Sequence, residues 1–365
     1  MVYPKKFDWE KLQSFCSKIF VKAGVSKENA DIVAESLIMA DLRGVDSHGV
    51  VRTAIYLERI EKKMIDPLAV PEIESQDFAT ALLNGNNNLG AVVGTKAVEI
   101  ALEKAKDRGA AIVGVKGSNH FGTGAYYALK AMEKNMILLV MSNASQTMPP
   151  TGGKRPFIGT NPLAVGVPAG KETPFLLDMA TSVVARGKII VAAQKGIEIP
   201  IGWAIDKKGR STTNPEEALE GAVLPLGGPK GYAISMFIDI LSGVLTGAGF
   251  GKYVYNMYEN WEQPQNVGHL FIALDIERFM PIEVFKNRMD YYIKELKAEP
   301  KSEGVDEILI PGELEFRKVE ERKQHGIELP KKVVSELDQI GKRYSINLLD
   351  AVICEIEERE EMNEC

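Results

Sequence analysis

Ala111-Ile112-Val113-Gly114-Val115-Lys116-Gly117-Ser118-Asn119-His120-Phe121-Gly122-Thr123-Gly124 is the stretch on which the reading of this chain turns. Its apolar run, 111–115, reads as a buried strand. The segment past the glycines, 123–135, reads as a helix leading into a second apolar run, Met136-Ile137-Leu138-Leu139-Val140-Met141. Strand, loop, helix and strand in that order predict an α/β domain and put His120 just past a strand end, where loops commonly carry function. Glycines on both sides let a ligand approach the main chain, so the imidazole is a candidate for proton transfer. The plainer alternative is a histidine that only caps the helix after it.

Outward from this stretch the alternation continues. Ala81-Leu82-Leu83 reads as a strand and 91–107 as a helix. On the other side, 145–175 is rich in Pro, Gly and Thr and reads as loop and turn. Phe175-Leu176-Leu177-Asp178-Met179 is a strand ending in a carboxylate, Gly202-Trp203-Ala204-Ile205-Asp206 a strand entering a turn, and 270–274 a further strand. Gly227-Gly228-Pro229-Lys230-Gly231-Tyr232 introduces an apolar helix over 233–245. A lysine at a helix start opposes the helix dipole, so an anion nearby accounts for Lys230 as well as simple solvation does. A helix is expected around 282–296, and the last 35 residues read as helical and charged.

The first 65 residues read as helices. Leu12, Phe15, Cys16 and Ile19 repeat at helical spacing up to Gly24, and Ala30, Val33, Ala34, Leu37 and Ile38 form a second stripe after Ser26. A third helix is expected from an N-cap at Ser47 through Val51, Ile55 and Ile60, with His48 and Arg52 four apart on one face. His48 is a second glycine-bracketed histidine, in Gly44-Val45-Asp46-Ser47-His48-Gly49.

The 365 residues are 45% hydrophobic and 26% charged, the balance of an ordinary globular protein, with length for about two to three domain-sized units. A net charge of -6 gives no basic footprint, so a nucleic-acid partner is not expected. No stretch reaches the roughly 18 apolar residues a membrane span needs, and the first residues lack a signal-like run, so no membrane partner is expected and a cytoplasmic enzyme is. Cys16, Cys354 and Cys365 share no disulfide or ligand spacing, and Asp46-x-His48 alone is too weak to predict a metal.

A Rossmann site needs Gly-x-Gly-x-x-Gly after its first strand. Gly85-Asn86-Asn87-Asn88-Leu89-Gly90 has the wrong spacing, and Gly247-Ala248-Gly249-Phe250-Gly251-Lys252 fits neither that motif nor a P-loop. No Gly-x-Ser-x-Gly elbow supports a serine nucleophile. What remains is acid-base chemistry on a small anion, with His120 to take a proton and Arg52 to grip a carboxylate through two parallel hydrogen bonds. A hydroxy-acid dehydrogenase uses such a set. A cofactor-free lyase or hydratase, with the same base on a carbon-bound proton, is the alternative.

Ala40-Asp41-Leu42-Arg43-Gly44-Val45-Asp46-Ser47-His48-Gly49-Val50-Val51-Arg52 resembles the signature of the malate/L-lactate dehydrogenase family of the non-Rossmann type, which includes sulfolactate and ureidoglycolate dehydrogenases. Four more motifs follow in the family's order: 117–122, Gly159-Thr160-Asn161-Pro162-Leu163-Ala164, Leu177-Asp178-Met179-Ala180-Thr181-Ser182 and 228–232. The resemblance spans about 10–335.

It implies an α/β, non-Rossmann nicotinamide-cofactor fold with a helical N-terminal region. The expected divisions are a substrate-contacting region, 1–75, packed with C-terminal helices of 280–345; an α/β cofactor-binding region, 76–275; and an acidic tail, 346–365. By matched position His120 is the general acid/base, and Ser47, His48 and Arg52 contact substrate or nicotinamide. Ser145, Thr160, Asn161, Asp178, Met179, Ala180, Lys230 and the Pro311-Gly312-Glu313 turn then line the cofactor. The family pattern often has two serines where this chain has Asn143-Ala144-Ser145, so one hydroxyl is replaced by Ala144. The resemblance also implies a homodimer, a small 2-hydroxy or 2-keto acid substrate with malate as first choice, and NAD or NADP. NAD is preferred if Glu313 or Asp178 meets the adenosine ribose. Lys154-Arg155 offers a second anionic end of malate a partner.

Overall fold

The computed structural model describes residues 6–353. The acidic run at 355–361, Cys354 and Cys365 lie outside the described residues; of the expected tail, 346–353 are described and hold the 3-10 turn Leu348–Ala351.

The described residues divide into two compact units, one of 6–58 with 315–353 and one of 59–314. The first is helical. Trp9–Lys22 is capped by Asp8, which accepts from the Lys11 N–H at 2.9 Å, and Lys27–Leu42 by Ser26, which accepts from the Asn29 N–H at 3.3 Å. The two helices pack through Leu12, Phe15, Cys16 and Ile19 on one and Ala30, Val33, Ala34, Leu37 and Ile38 on the other, the expected stripes. Lys331–Tyr344 packs on the first of them, and Lys6–Phe7 pairs antiparallel with Ile327–Glu328.

The third helix departs from expectation. Ser47 does not cap it. The chain makes two 3-10 turns, Asp46–His48 and Val50–Arg52, before the α-helix Thr53–Glu61 begins. His48 and Arg52 therefore stand on separate turns rather than on one helical face. The cause is Gly49, extended at ψ -149° between them, where the Asp41 carboxyl group occupies the room a helix side chain needs.

The second unit is built on a seven-stranded sheet. In chain order its strands are β1 Glu72–Gln76, β2 Thr80–Asn84, β3 Ala110–Ser118, β4 Met136–Ser142, β5 Leu163–Val167, β6 Phe175–Met179 and β7 Val267–Asp275. Their spatial order is β1-β2-β3-β7-β4-β5-β6, and only β2 and β3 run parallel. Helices Gly90–Arg108 and Gly124–Met132 lie where the alternation predicts. Side chains of β7 alternate between two layers: Phe271 meets Phe121 and Tyr127, while Leu270 and Ile272 meet Ile238 and Leu241.

Two strands of this seven-stranded sheet are absent from the sequence reading. β1 is exposed throughout and carries no apolar alternation, and β5 falls inside the stretch read as loop. Both are strands because a neighbour offers a ladder. The apolar helix begins earlier than read, at Pro229, and passes at Ile240–Val244 into a π-helical turn. A smaller sheet of Ala204–Ile205, Ser211–Thr212 and Ala222–Val223 sits with helices Arg186–Lys195 and Pro215–Glu220 around a core of Ile189, Ile199 and Ala218. Among the described residues no helix is long and apolar enough to cross a membrane.

Candidate functional site

Since β2 and β3 are parallel, and β3 and β4 both oppose β7, the loops after β2, β3 and β4 leave from one edge of the sheet. Asn119 stitches the first two of these loops, its side-chain NH₂ donating to Asn87 Oδ1 at 3.0 Å and to the Asn88 carbonyl at 2.9 Å. His120, next along, is half-buried, and its N–H donates to Gln265 Oε1 at 3.0 Å. The Phe121 carbonyl accepts from Tyr127 Oη at 2.6 Å. The glycine-bracketed loop is thus fixed on either side of the imidazole.

The loop after β4 is braced by Asn161, fully buried. Its Oδ1 accepts from the Ala144 N–H at 2.9 Å, and its Nδ2 donates to the Ser235 carbonyl at 2.9 Å. Both ends of that amide are therefore engaged by the chain itself, whereas Ser145 and Thr160 are half-buried on its flanks. Asp178, at the end of β6, accepts from the Ala125 N–H at 2.9 Å and so caps the helix that follows His120, a favourable place for a carboxylate. Met179 pairs with Leu163, and Ala180 follows, half-buried. At the next residue, the Thr181 carbonyl accepts from the Leu226 N–H at 2.9 Å, which brings the approach to Lys230 beside this strand end. Lys230 is exposed at the start of its helix, with no carboxylate in ion-pair range among the described residues.

The Pro311-Gly312-Glu313 turn docks on β6. Leu176 donates its N–H to the Pro311 carbonyl at 3.0 Å, and Gly312, at φ +93°, lies so close to the Leu176 main chain that a Cβ would collide with it. Glu313 is buried. It takes the Lys297 ammonium at 2.6 Å and accepts from the Ile310 N–H at 3.3 Å.

The first unit holds the other candidates. Ser47, exposed, lies 2.9 Å from His48 Nδ1 through its Oγ. Burial, reinforced by the Arg52 guanidinium, pulls the His48 imidazolium down to about 4, so the ring is neutral across the neutral pH range. Arg52 is half-buried; burial lowers its own pKa and Tyr56 offsets part of that. Beneath them, Arg322 donates to Asp46 Oδ1 at 2.5 Å and to the Asp41 carbonyl.

Three residues that order loops of the site, Asp41, Gln265 and His269, carry no functional signal of their own in the sequence. Asp41 stands inside the first motif but reads as an ordinary helix residue. Gln265 and His269 precede or enter an apolar strand, with no local pattern to mark them.

Residues 7–338 match the malate/L-lactate dehydrogenase family. The chain is 43% identical over 345 residues to a malate dehydrogenase of Pyrococcus horikoshii, covering 92% of this chain and 95% of that one. It is 43% identical over 339 residues to a malate/(S)-sulfolactate dehydrogenase of Methanothermus fervidus, covering 93% and 98%. The solved sulfolactate dehydrogenase of Methanocaldococcus jannaschii superposes with a TM-score of 0.89 at 40% identity, covering 95% and 99%.

Proposed function

This chain belongs to the malate/L-lactate dehydrogenase family, and we propose that it transfers a hydride between a small 2-hydroxy acid, malate first, and NAD. The single observation that carries the reading is the His120 loop, held at Asn119, the His120 N–H and the Phe121 carbonyl so that one imidazole is presented from a rigid frame. In this reading an imidazole nitrogen of His120 accepts the substrate hydroxyl proton and returns it in the reverse direction. Arg52 grips the substrate carboxylate with two parallel N–H donors, and Ser47 and His48 position the ligand. His48 acts as a neutral ring, a donor or acceptor rather than a second cation.

The donor set fits a nicotinamide dinucleotide. Thr123 Oγ1 and Thr181 Oγ1 are buried and lack a hydrogen-bond partner among the described residues. Thr123 directly follows the His120 loop and Thr181 directly follows Ala180, and Lys230 supplies a cation without a carboxylate partner among the described residues. Ser145, Thr160, Asp178, Met179, Ala180 and Lys230 would hold the dinucleotide, with Asn161, Gly312 and Glu313 shaping the frame behind them. When bound, its ring supplies the hydride acceptor. NAD is proposed over NADP because Asp178, exposed at a strand end, repels a 2'-phosphate.

A homodimer is supported by the helix from Pro229 and the π-helical turn after it, which are built inside out. Ser235 and Ser242 are fully buried, while Phe237 and Val244 are 56% and 57% exposed with Met236 and Leu245 beside them. A cytoplasmic setting is part of the same proposal. The reading is tested by following nicotinamide absorbance with oxaloacetate, pyruvate and sulfopyruvate, each with NADH and NADPH. Oxaloacetate with NADH is expected to lead by about tenfold or more in kcat/KM. A lead by sulfopyruvate, which the sulfolactate-named relatives favour as second reading, moves the substrate. No turnover with any 2-keto acid removes the reading.

A further inference from the structure

His269 lies near the start of β7, between β3 and β4. Its Nε2 is 2.8 Å from Ser118 Oγ and its Nδ1 is 2.8 Å from Ser142 Oγ. Ser118 ends β3 and Ser142 ends β4, so one ring ties together the two strand ends from which the loops of His120 and Ser145 depart. The face of the ring is used as well: Phe121 stacks on it at 4.2 Å with the planes 4° apart. The loop is therefore gripped two residues before His120 and one residue after it, while Gln265, on the same approach to β7, holds the His120 N–H.

We propose that His269 is a positioning residue for the reaction: through Ser118 and Phe121 it sets the aim of the His120 imidazole, and through Ser142 it fixes that aim relative to the loop of Ser145. The inference rests on the acid/base reading of His120. The distances fit a neutral imidazole in one tautomer. Ser142 Oγ donates to the Asn143 carbonyl at 3.0 Å, which leaves its lone pair to accept from His269 Nδ1–H. Nε2 is then the acceptor for the Ser118 hydroxyl. Burial keeps the ring neutral, holding the imidazolium down at about 3 against the opposite pull of the Asn119 carbonyl, so the bridge does not change with pH across the neutral range. A phenyl ring of similar size could stack on Phe121 but could make neither bond.

His269→Phe keeps the stack and loses both bonds, and His269→Gln can restore the bond to Ser118. With oxaloacetate and NADH, His269→Phe is expected to lower kcat about 30- to 100-fold, with KM for the keto acid changed less than about threefold. His269→Gln is expected to recover about tenfold of that loss. Ile293→Ala, a buried change in the Ile282–Ala298 helix, gives the stability benchmark: it lowers Tm and leaves kcat unchanged. Hydrogen exchange at the amides of His120 and Phe121 needs no substrate, and it is expected to quicken about tenfold or more in both His269→Phe and Ser142→Ala. If His269→Phe fails to fold, Ser142→Ala carries the test, because Ser142 lies on another strand from the His120 loop. Wild-type kcat in whichever variant folds, or unchanged exchange at His120, overturns the proposal. If the wild type reduces no 2-keto acid, the acid/base reading falls, and the exchange data still decide whether His269 fixes the loop.

Discussion

The Asp41 carboxyl group fills the space a side chain at Gly49 needs, and its Oδ2 accepts the N–H of the next residue, Val50, at 2.8 Å. This contact breaks what reads as one helix into two tight turns and so orients His48 and Arg52 independently. Gly49→Ala is expected to expel the carboxyl group and leave a buried N–H unpaired. The cost is about 3 kcal/mol, read as a lower urea midpoint, with kcat/KM falling alongside it.

Stability should depend on pH through the same carboxyl. Burial pushes the Asp41 pKa from 3.8 up to about 8, so its contribution is complete below 3.8 and is lost as pH rises through about 8. His48 has the opposite sign. With a folded value near 4 against 6.5, its contribution is complete above 6.5 and is lost as pH falls through 4. Asp41→Asn is expected to flatten the decline in denaturation midpoint as pH rises from about 4 to 8, and His48→Gln the decline as pH falls from 6.5 to about 4. Midpoints measured from pH 4 to 9 that keep the wild-type slopes contradict this assignment.

His120→Gln should reduce kcat by about 10²- to 10⁴-fold while leaving the unfolding free energy within about 1 kcal/mol of wild type. Arg52→Lys keeps the charge and loses the fork. The expected loss is about 10- to 100-fold in kcat/KM, mostly in KM for the keto acid. Steady-state kinetics on both variants separates a proton carrier from a clamp.

Asp178 and Glu313 divide along different lines. Glu313 is ion-paired to Lys297 inside the fold, so Glu313→Gln is expected to cost about 1 to 2 kcal/mol of stability and leave the NADH to NADPH preference alone. Asp178→Asn is expected to raise KM for NADH and narrow the gap to NADPH. The pair of cofactor titrations distinguishes a framework carboxylate from a selecting one.

Much of the fold is legible in local pattern. The stripes of Leu12 and Ile19, the runs at 111–115 and 136–141, and the caps at Asp8 and Ser26 each depend on residues a few positions apart. The five ordered motifs likewise name the family, and with it an α/β fold carrying a helical N-terminal region. β1 and β5 are not legible, because their sequences lack the alternation or carry turn residues. They are strands only because β2 and β4 offer them hydrogen bonds.

By itself, then, the sequence determines the order of elements, the candidate imidazole of His120 and the guanidinium of Arg52, since side-chain chemistry and short-range periodicity are properties of the chain. Tertiary structure decides what those groups are held by. His269 reaches Ser118 and Ser142 across 151 and 127 positions, and Gln265 reaches His120 across 145. Contacts at such separations arise only when strands distant in sequence are paired. That pairing also leaves Asn161 and Glu313 committed to the frame, and it buries the His269 ring that no local signal distinguishes.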